Sequence, residues 1–406
     1  MFNQEQYIKE FYEKNDALVE KGFSWGTLYE NEEWNQYMSL TPIPLSELSY
    51  QNILKATTEI GRIIQKYYWH VWDTPEILGR LKLNPHILDA IKGGKDNLFS
   101  YLCRFDFIIN GDDIKLIEIN ADTPTGLVEP SIANRYLIEG TEYKHLNTHE
   151  ECLTNMWSQF IKRYKIPSDE YIYFTSYDWH DEDRETTEMI MEQCLHKNKQ
   201  YVGVQDLMVN ESGLYDAYGN PIKYLYRLYP LEYLLDDKDD DGRPIGRWLL
   251  KHIADGKVIM LNPPSSIIPQ HKGFLALLWD EYEKGKLFTA EEKEIIRKYF
   301  LPTYFTPGLL KDYVEKPIFG REGGGVRIVT KEVQEEDNTE YYRNQDMIYQ
   351  QYVDMPKQVI DTWDGPYEGR LLVGSHLIGG KPAGIFYRIG EPITGNLSMF
   401  APVGIK

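Results

Sequence analysis

The chain has 406 residues, 42% of them hydrophobic and 26% charged, a globular composition long enough for a large core shared by two or three lobes. Its net charge of −19 excludes a general basic surface for nucleic acid, which needs clustered Lys and Arg. The same charge suits a cationic substrate such as a polyamine, and equally suits plain solubility.

Met1 to Glu13 is charged and has no apolar signal-peptide core, and no apolar run is long enough to span a bilayer. Cys103, Cys152 and Cys194 show no metal-ligand or disulfide-framework spacing. A cytoplasmic protein with free thiols and no membrane partner is the expectation.

Residues 1–100 read as mainly helical, with Ile53, Ile60, Ile63 and Ile64 at helical spacing in 49–72. From Tyr101 the pattern turns to strands. The stretch CRFDFIINGDDIKLIEINADTPTGLVEP, residues 103–130, reads as a hairpin around Asn110-Gly111. Arg104 and Asp106 share one face of the first strand, Glu118 and Asn120 one face of the second. A two-residue Asn-Gly loop would send these pairs to opposite faces. A three-residue loop, 110–112, pairs Arg104 with Glu118 and separates a polar face from an apolar one. We therefore expect the odd-length loop, with Gly111 or Asp112 near the left-handed region. The polar face would hold Ile114 and Leu116, the apolar face Ile117. Asp106, Glu118 and Asn120 would supply hard oxygens suited to Mg²⁺, and Arg104 could clamp a phosphate or carboxylate. A solvated polar face explains the same spacing. The hydroxyl-bearing turn NADTPTG that follows favours a ligand.

Further on, 171–176 reads as a buried strand, 181–193 as a helix and 201–207 as extended, a βαβ rhythm within 165–262. The acidic run 236–241 lacks the spacing of a calcium loop and reads as a solvated turn. Gln270-His271-Lys272 opens an apolar helix, and 291–299 reads as another. Lys316-Pro317 ends a strand and is followed by Gly320-Arg321-Glu322-Gly323-Gly324-Gly325. Such a loop can fold over phosphates, although a tight hairpin is the commoner explanation. A hairpin turns at Gly379-Gly380, and Arg388 precedes Gly390 in a terminal loop, where an arginine is usually a surface residue. No linker separates independent domains.

The stretches RFDF, GDDIKLIEINADTPTGLVEP, HKGFLALLW, EKPIFGREGGGVRIV, IYQQYV and YRIGEPITGNLSMFAPVGIK, in this order, resemble the glutathionylspermidine synthetase family of ATP-grasp ligases. The resemblance implies a mixed α/β (α+β), permuted ATP-grasp-like fold with a helical N-terminal part and an inserted α/β lobe. Residues 1–406 would form one catalytic unit of approximate lobes 1–100, 101–164, 165–262 and 263–406. It implies a stand-alone synthetase without the family's amidase domain, joining a carboxylate to an amine with ATP and two Mg²⁺ through an acyl phosphate. Asp106, Glu118 and Asn120 look like the metal site. Arg104 and Arg388 look like catalytic arginines, and Arg388 resembles a mobile one. Lys272, Lys316, Gly320, Arg321, Glu322, Gly323, Gly324, Gly325, Gln350, Gln351 and Tyr352 look like the ATP site. Arg104, Thr123, Thr125 and Glu129 match positions on the peptide substrate. The substrates implied are glutathione or a related peptide and a polyamine. Another peptide or amino-acid ligase, or a silent ATP-binding protein, are the alternatives. Segment 320–325 is expected to act as a lid. The resemblance leaves the amine side unlocated.

Overall fold

A computed structural model describes residues 2–30, 32–94, 96–332, 334–337, 342 and 344–406. Its longest helix, Glu47–Asp73 (α1), begins where the Ser46 hydroxyl accepts from the Ser49 N–H, filling a bond the helix start cannot make itself. Its buried Ile53, Ile60, Ile63, Ile64, Tyr67 and Val71 recur at three- and four-residue steps and form one inward stripe. Burying each such side chain contributes about 1.5–3 kcal/mol. The stripe lies against a sheet so closely that a Cβ on Gly61 would sit 2.8 Å from Leu377. Thr57 and Ser375 hydroxyls meet there at 2.7 Å.

The chain then forms the expected hairpin, Leu102–Asn110 (β1) and Asp113–Asn120 (β2). A parallel sheet follows. Ile172–Thr175 (β3) lies between Lys199–Tyr201 and Tyr224–Arg227 (β4), with Ile259–Leu261 (β5) beyond β4. Every residue of β3 and β4 is buried, as strands covered on both faces require. Asp181–Glu192 (α2) is the crossover helix after β3. The extended stretch expected at 201–207 is broken: its strand ends at Tyr201, and Val204–Asp206 is a 3₁₀ turn.

Two antiparallel layers complete the architecture. Gly273–Lys284 (α3) and the capped helix Ala290–Tyr299 (α4) precede Tyr313–Pro317 (β6), which lies between Arg327–Val329 (β7) and Met347–Gln351 (β8). Gly365–Ile378 (β9) returns to pair with β1, and Lys381–Gly390 (β10) pairs with the other side of β9. They turn at Gly379 and Gly380, φ +56° and +79°, values glycine adopts without a Cβ clash. The first hairpin and the last thus share one sheet, and the β6–β8 sheet faces it. Among the described residues no helix is long and apolar enough to cross a membrane.

The hairpin register corrects one expectation. Asn110 pairs with Asp113, leaving Gly111-Asp112 as a two-residue turn with Gly111 at φ +62°. Arg104 faces Asn120 rather than Glu118, and Asp106 faces Glu118. The polar pairs still share a face because the register shifts between Asp106 and Phe107, leaving Ile117 as an extra residue. This bulge restores the parity that an even turn alone would have lost. It also exchanges side chains: Ile117 joins Ile108 at the cavity, while Ile114 and Leu116 pack in the core with Phe105 and Phe107.

Candidate active site

A cavity of about 520 Å³ lies where the two antiparallel sheets meet the loops of the parallel sheet. Ile108, Ile117 and Leu372 line it from one sheet, Val314 and Ile328 from the other, with Val326 just before β7, making an apolar slot. At its floor stands the polar face of the hairpin. Arg104 grips Asp106 through two bonds, Nε to Oδ1 at 2.7 Å and Nη2 to Oδ2 at 3.0 Å. The Asn120 amide donates to the same Oδ2 at 3.0 Å.

Two lysines arrive from outside the hairpin. Lys272 precedes α3, and the neighbouring Gln270 is docked on the end of β2 by the Ala121 and Asp122 N–H groups. Lys272 Nζ donates to Glu118 Oε1 at 2.8 Å and to Gly320 O at 2.7 Å. Lys316, on β6, donates to Gln350 Oε1 at 2.8 Å and to Ile117 O at 2.9 Å, so the bulge supplies it an acceptor. Burial pushes the Glu118 carboxyl up, but Lys272, Lys316 and Arg104 outweigh it and hold it below its ordinary range. Burial pulls Lys316 down to about 8, with Glu118 opposing.

The turn after β2 carries Thr123 and Thr125, both on the cavity. Arg104 Nη1 donates to Thr125 O at 3.2 Å. Arg321 spans the mouth, reaching Glu232 at 2.7 Å and Thr123 Oγ1 at 3.3 Å. The glycine-rich segment is therefore tied across the cavity at Arg321 and Gly320.

A family model described as glutathionylspermidine synthase preATP-grasp matches residues 5–406. The chain belongs to that family. A Haemophilus influenzae protein named "Putative acid–amine ligase" is 28% identical over 319 residues, 74% of this chain and 73% of that protein. The apo structure of a glutathione synthetase-like effector from Globodera pallida shares the fold, with a TM-score of 0.65 at 11% identity over 100% of this chain and 98% of that one. The mixed α/β, glutathione synthetase-like architecture is thus established. Membership of the glutathionylspermidine synthase family makes the chain a ligase that forms carbon–nitrogen bonds.

Most positions singled out from the sequence converge on this one cavity. Arg104, Asp106, Glu118, Asn120, Thr123, Thr125, Lys316, Arg321, Glu322, Gly323, Gln350, Gln351, Tyr352 and Arg388 line it. Lys272 reaches it through Glu118. Gly320, Gly324 and Gly325 do not line it, and Gly320 meets the site only through its carbonyl on Lys272. Glu129 does not reach the cavity surface: it is wholly buried, accepting from Tyr37 OH at 2.8 Å and Trp25 Nε1 at 3.2 Å. Arg388 is tied by Nη2 to Gly395 O at 2.8 Å, while its Nε has no partner.

Several functional candidates escaped the sequence reading. Tyr177, Trp179, His180, Asp183 and Tyr233 line the end of the cavity away from the lysines. Glu182 stands beside them. Burial, then Glu129 and Asp183, push it up to about 7 against the pull of His180 and Arg388. Behind the Thr123 turn, Asp122 makes a buried two-pronged pair with Arg227, and Asn262 bonds both Leu102 and Asp122 backbones. The polar strip 181–183 offered a signal only as a run of acids at a helix start. Asp122 and Asn262 carry no pattern of their own.

Proposed function

We propose that this chain is an ATP-dependent acid–amine ligase that activates its acid as an acyl phosphate. The observation that carries the reading is the meeting of Arg104, Asp106, Glu118 and Asn120 with Lys272 and Lys316 beside an apolar slot. The slot, with Gln350, Gln351 and Tyr352 along it, suits an adenine ring, and the lysines suit its phosphates. The donor set fits magnesium, which takes one or two carboxylates plus phosphate oxygens. Asp106, Glu118 and Asn120 would hold two Mg²⁺ ions, which would offset the phosphate charge when bound.

The acid's carboxylate oxygen bonds to the γ-phosphorus of ATP as the bond to ADP breaks. The amine nitrogen then bonds the carbonyl carbon as the C–O bond to phosphate breaks. The ammonium loses one proton before attack and one with it. Arg104, Lys272, Lys316 and Arg388 offer fixed positive charge where oxygens gain negative charge. The segment tied by Arg321 limits water, which would hydrolyse the acyl phosphate.

The amine belongs at the acidic, aromatic end. Asp183 and the rings of Tyr177, Trp179 and Tyr233 suit a cation, and Glu182, poised near neutrality, suits the first proton. A polyamine is the amine class this favours, with glutathione or a related peptide as the acid. The test is ADP release over a panel of peptide acids and amines, with products read by mass spectrometry. Release that needs both partners and a product equal to their sum less water supports the reading. ADP release indifferent to both removes it.

A further inference from the structure

Beneath Arg104 lie two buried histidines that no step above uses. His376 sits on β9 opposite Arg104 in the β1–β9 register, and His149 opens the helix His149–Tyr164. They are 0% and 2% exposed. His149 Nε2 lies 3.1 Å from His376 Nδ1, and His376 Nε2 lies 3.3 Å from Thr125 O. Thr125 O is the same oxygen that receives Arg104 Nη1.

The protons on this chain can be assigned. A carbonyl only accepts, so His376 Nε2 carries hydrogen. A neutral His376 then accepts at Nδ1, so His149 Nε2 donates. His149 Nδ1 is left a bare lone pair, and it is buried without a partner. Protonating His376 would set a second buried cation next to Arg104. Burial and that guanidinium hold its pKa down to about 3, and burial with His376 holds His149 well below its ordinary value.

The carbonyl needs this support. Thr125 is followed by Gly126 at φ +75°, whose wide conformational freedom does nothing to keep the peptide pointed at Arg104. A Cβ there would sit 2.6 Å from Phe386. The Phe386 ring also underlies Arg104 at 5.8 Å and stacks on His376 at 5.7 Å.

We infer that His376 and His149 are positioning residues: the His149–His376–Thr125 chain of hydrogen bonds fixes the Thr125 peptide and, with it, the acceptor of Arg104 Nη1, completing the hold that the two Asp106 bonds begin. The inference rests on the reading that Arg104 serves the transferred phosphate and the acid.

Nitrogen-15 spectra of the histidines in the full chain test the chain without any substrate. Both residues are expected as neutral Nε2–H tautomers at pH 7, and an Nδ1–H or doubly protonated His376 overturns the inference. Two variants separate positioning from filling. His376→Leu keeps bulk but loses the donor, whereas His376→Gln keeps an N–H near the place of Nε2. With the best acid of the panel and saturating ATP, ADP release should fall about tenfold in His376→Leu and return to within about threefold in His376→Gln, at unchanged KM for ATP. Equal rates in the two variants, or a KM for ATP that moves with the rate, reduce the pair to packing. If the unmodified chain releases no ADP with any acid, it is the ligase reading that fails. The Gly126 amide resonance, which follows hydrogen bonding at Thr125 O, then decides: moved in the Leu variant and kept in the Gln variant supports positioning, and unmoved in both overturns it.

Discussion

The two ends of the cavity handle buried charge in opposite ways. At the hairpin end each carboxylate is held by a cation, Asp106 by Arg104 at 2.7 Å and Glu118 by Lys272 at 2.8 Å. At the other end the pairing is looser: Asp183 meets His180 at 3.5 Å, and two further acids have no ion-pair partner among the described residues. Glu129, buried behind the cavity wall, is held by the neutral donors Tyr37 and Trp25 and keeps an unpaired oxygen, and Glu182 rises to about 7. Burying a charge is costly unless it is paired. The first end is therefore set to receive a polyanion and its metals by sharing out charges already present. Glu182, whose pKa rises in spite of His180 and Arg388, marks a surplus of acid at the second end, which a cationic substrate would offset.

The sharpest way to break this comparison is at the hairpin end. Glu118→Ala should lower ligation at least a hundredfold, about 3 kcal/mol of transition-state stabilisation, with the fold kept. Near-normal turnover in saturating Mg²⁺ would remove Glu118 from the chemistry. Lys316→Ala should weaken a non-hydrolysable ATP analogue roughly tenfold or more in calorimetry and leave amine affinity within about twofold. An unchanged nucleotide affinity would make Lys316 a structural residue.

Between the two ends lies the glycine-rich segment. Arg321→Ala removes its bonds to Glu232 and Thr123, so exchange of amides 320–326 should quicken by about tenfold, and ATP analogue should slow it again. The same slow exchange in both proteins would show that Arg321 does not hold the segment.

The acidic end gives the smallest effect and the one with a pH signature. Glu182 is raised from the ordinary 4.5 to about 7, so its ionised form is disfavoured in the fold. The cost is absent below about pH 4.5, grows towards pH 7 and stays constant above. Glu182→Gln should thus raise Tm by roughly 2 °C at pH 8 and leave it unchanged at pH 4. An equal shift at both pH values would mean that the charge is not the cause.

The same contrast explains what could be read from the sequence. Arg104, Asp106, Glu118 and Asn120 sit on adjacent strands, so period-two spacing and one turn bring them together. The bulge at Ile117 could not be read: the extra residue is settled where Lys316, from a distant strand, takes the Ile117 carbonyl. Lys272 and Lys316 look like ordinary lysines until the family resemblance marks them. The acidic end and the buried layer behind it draw Trp25, Tyr37, Glu129, Glu182 and Arg388 from five separate segments, and no local pattern joins them. His376 and His149 are likewise linked only by the fold.

The central claim, activation of an acid by phosphate, is tested most directly by isotope transfer. An acid labelled with ¹⁸O in its carboxylate is turned over with ATP and the amine, and the inorganic phosphate is examined by mass spectrometry. One ¹⁸O should appear in phosphate for each amide formed, and none in any nucleotide. Amide formation with unlabelled phosphate, or with the label in AMP, would contradict the account.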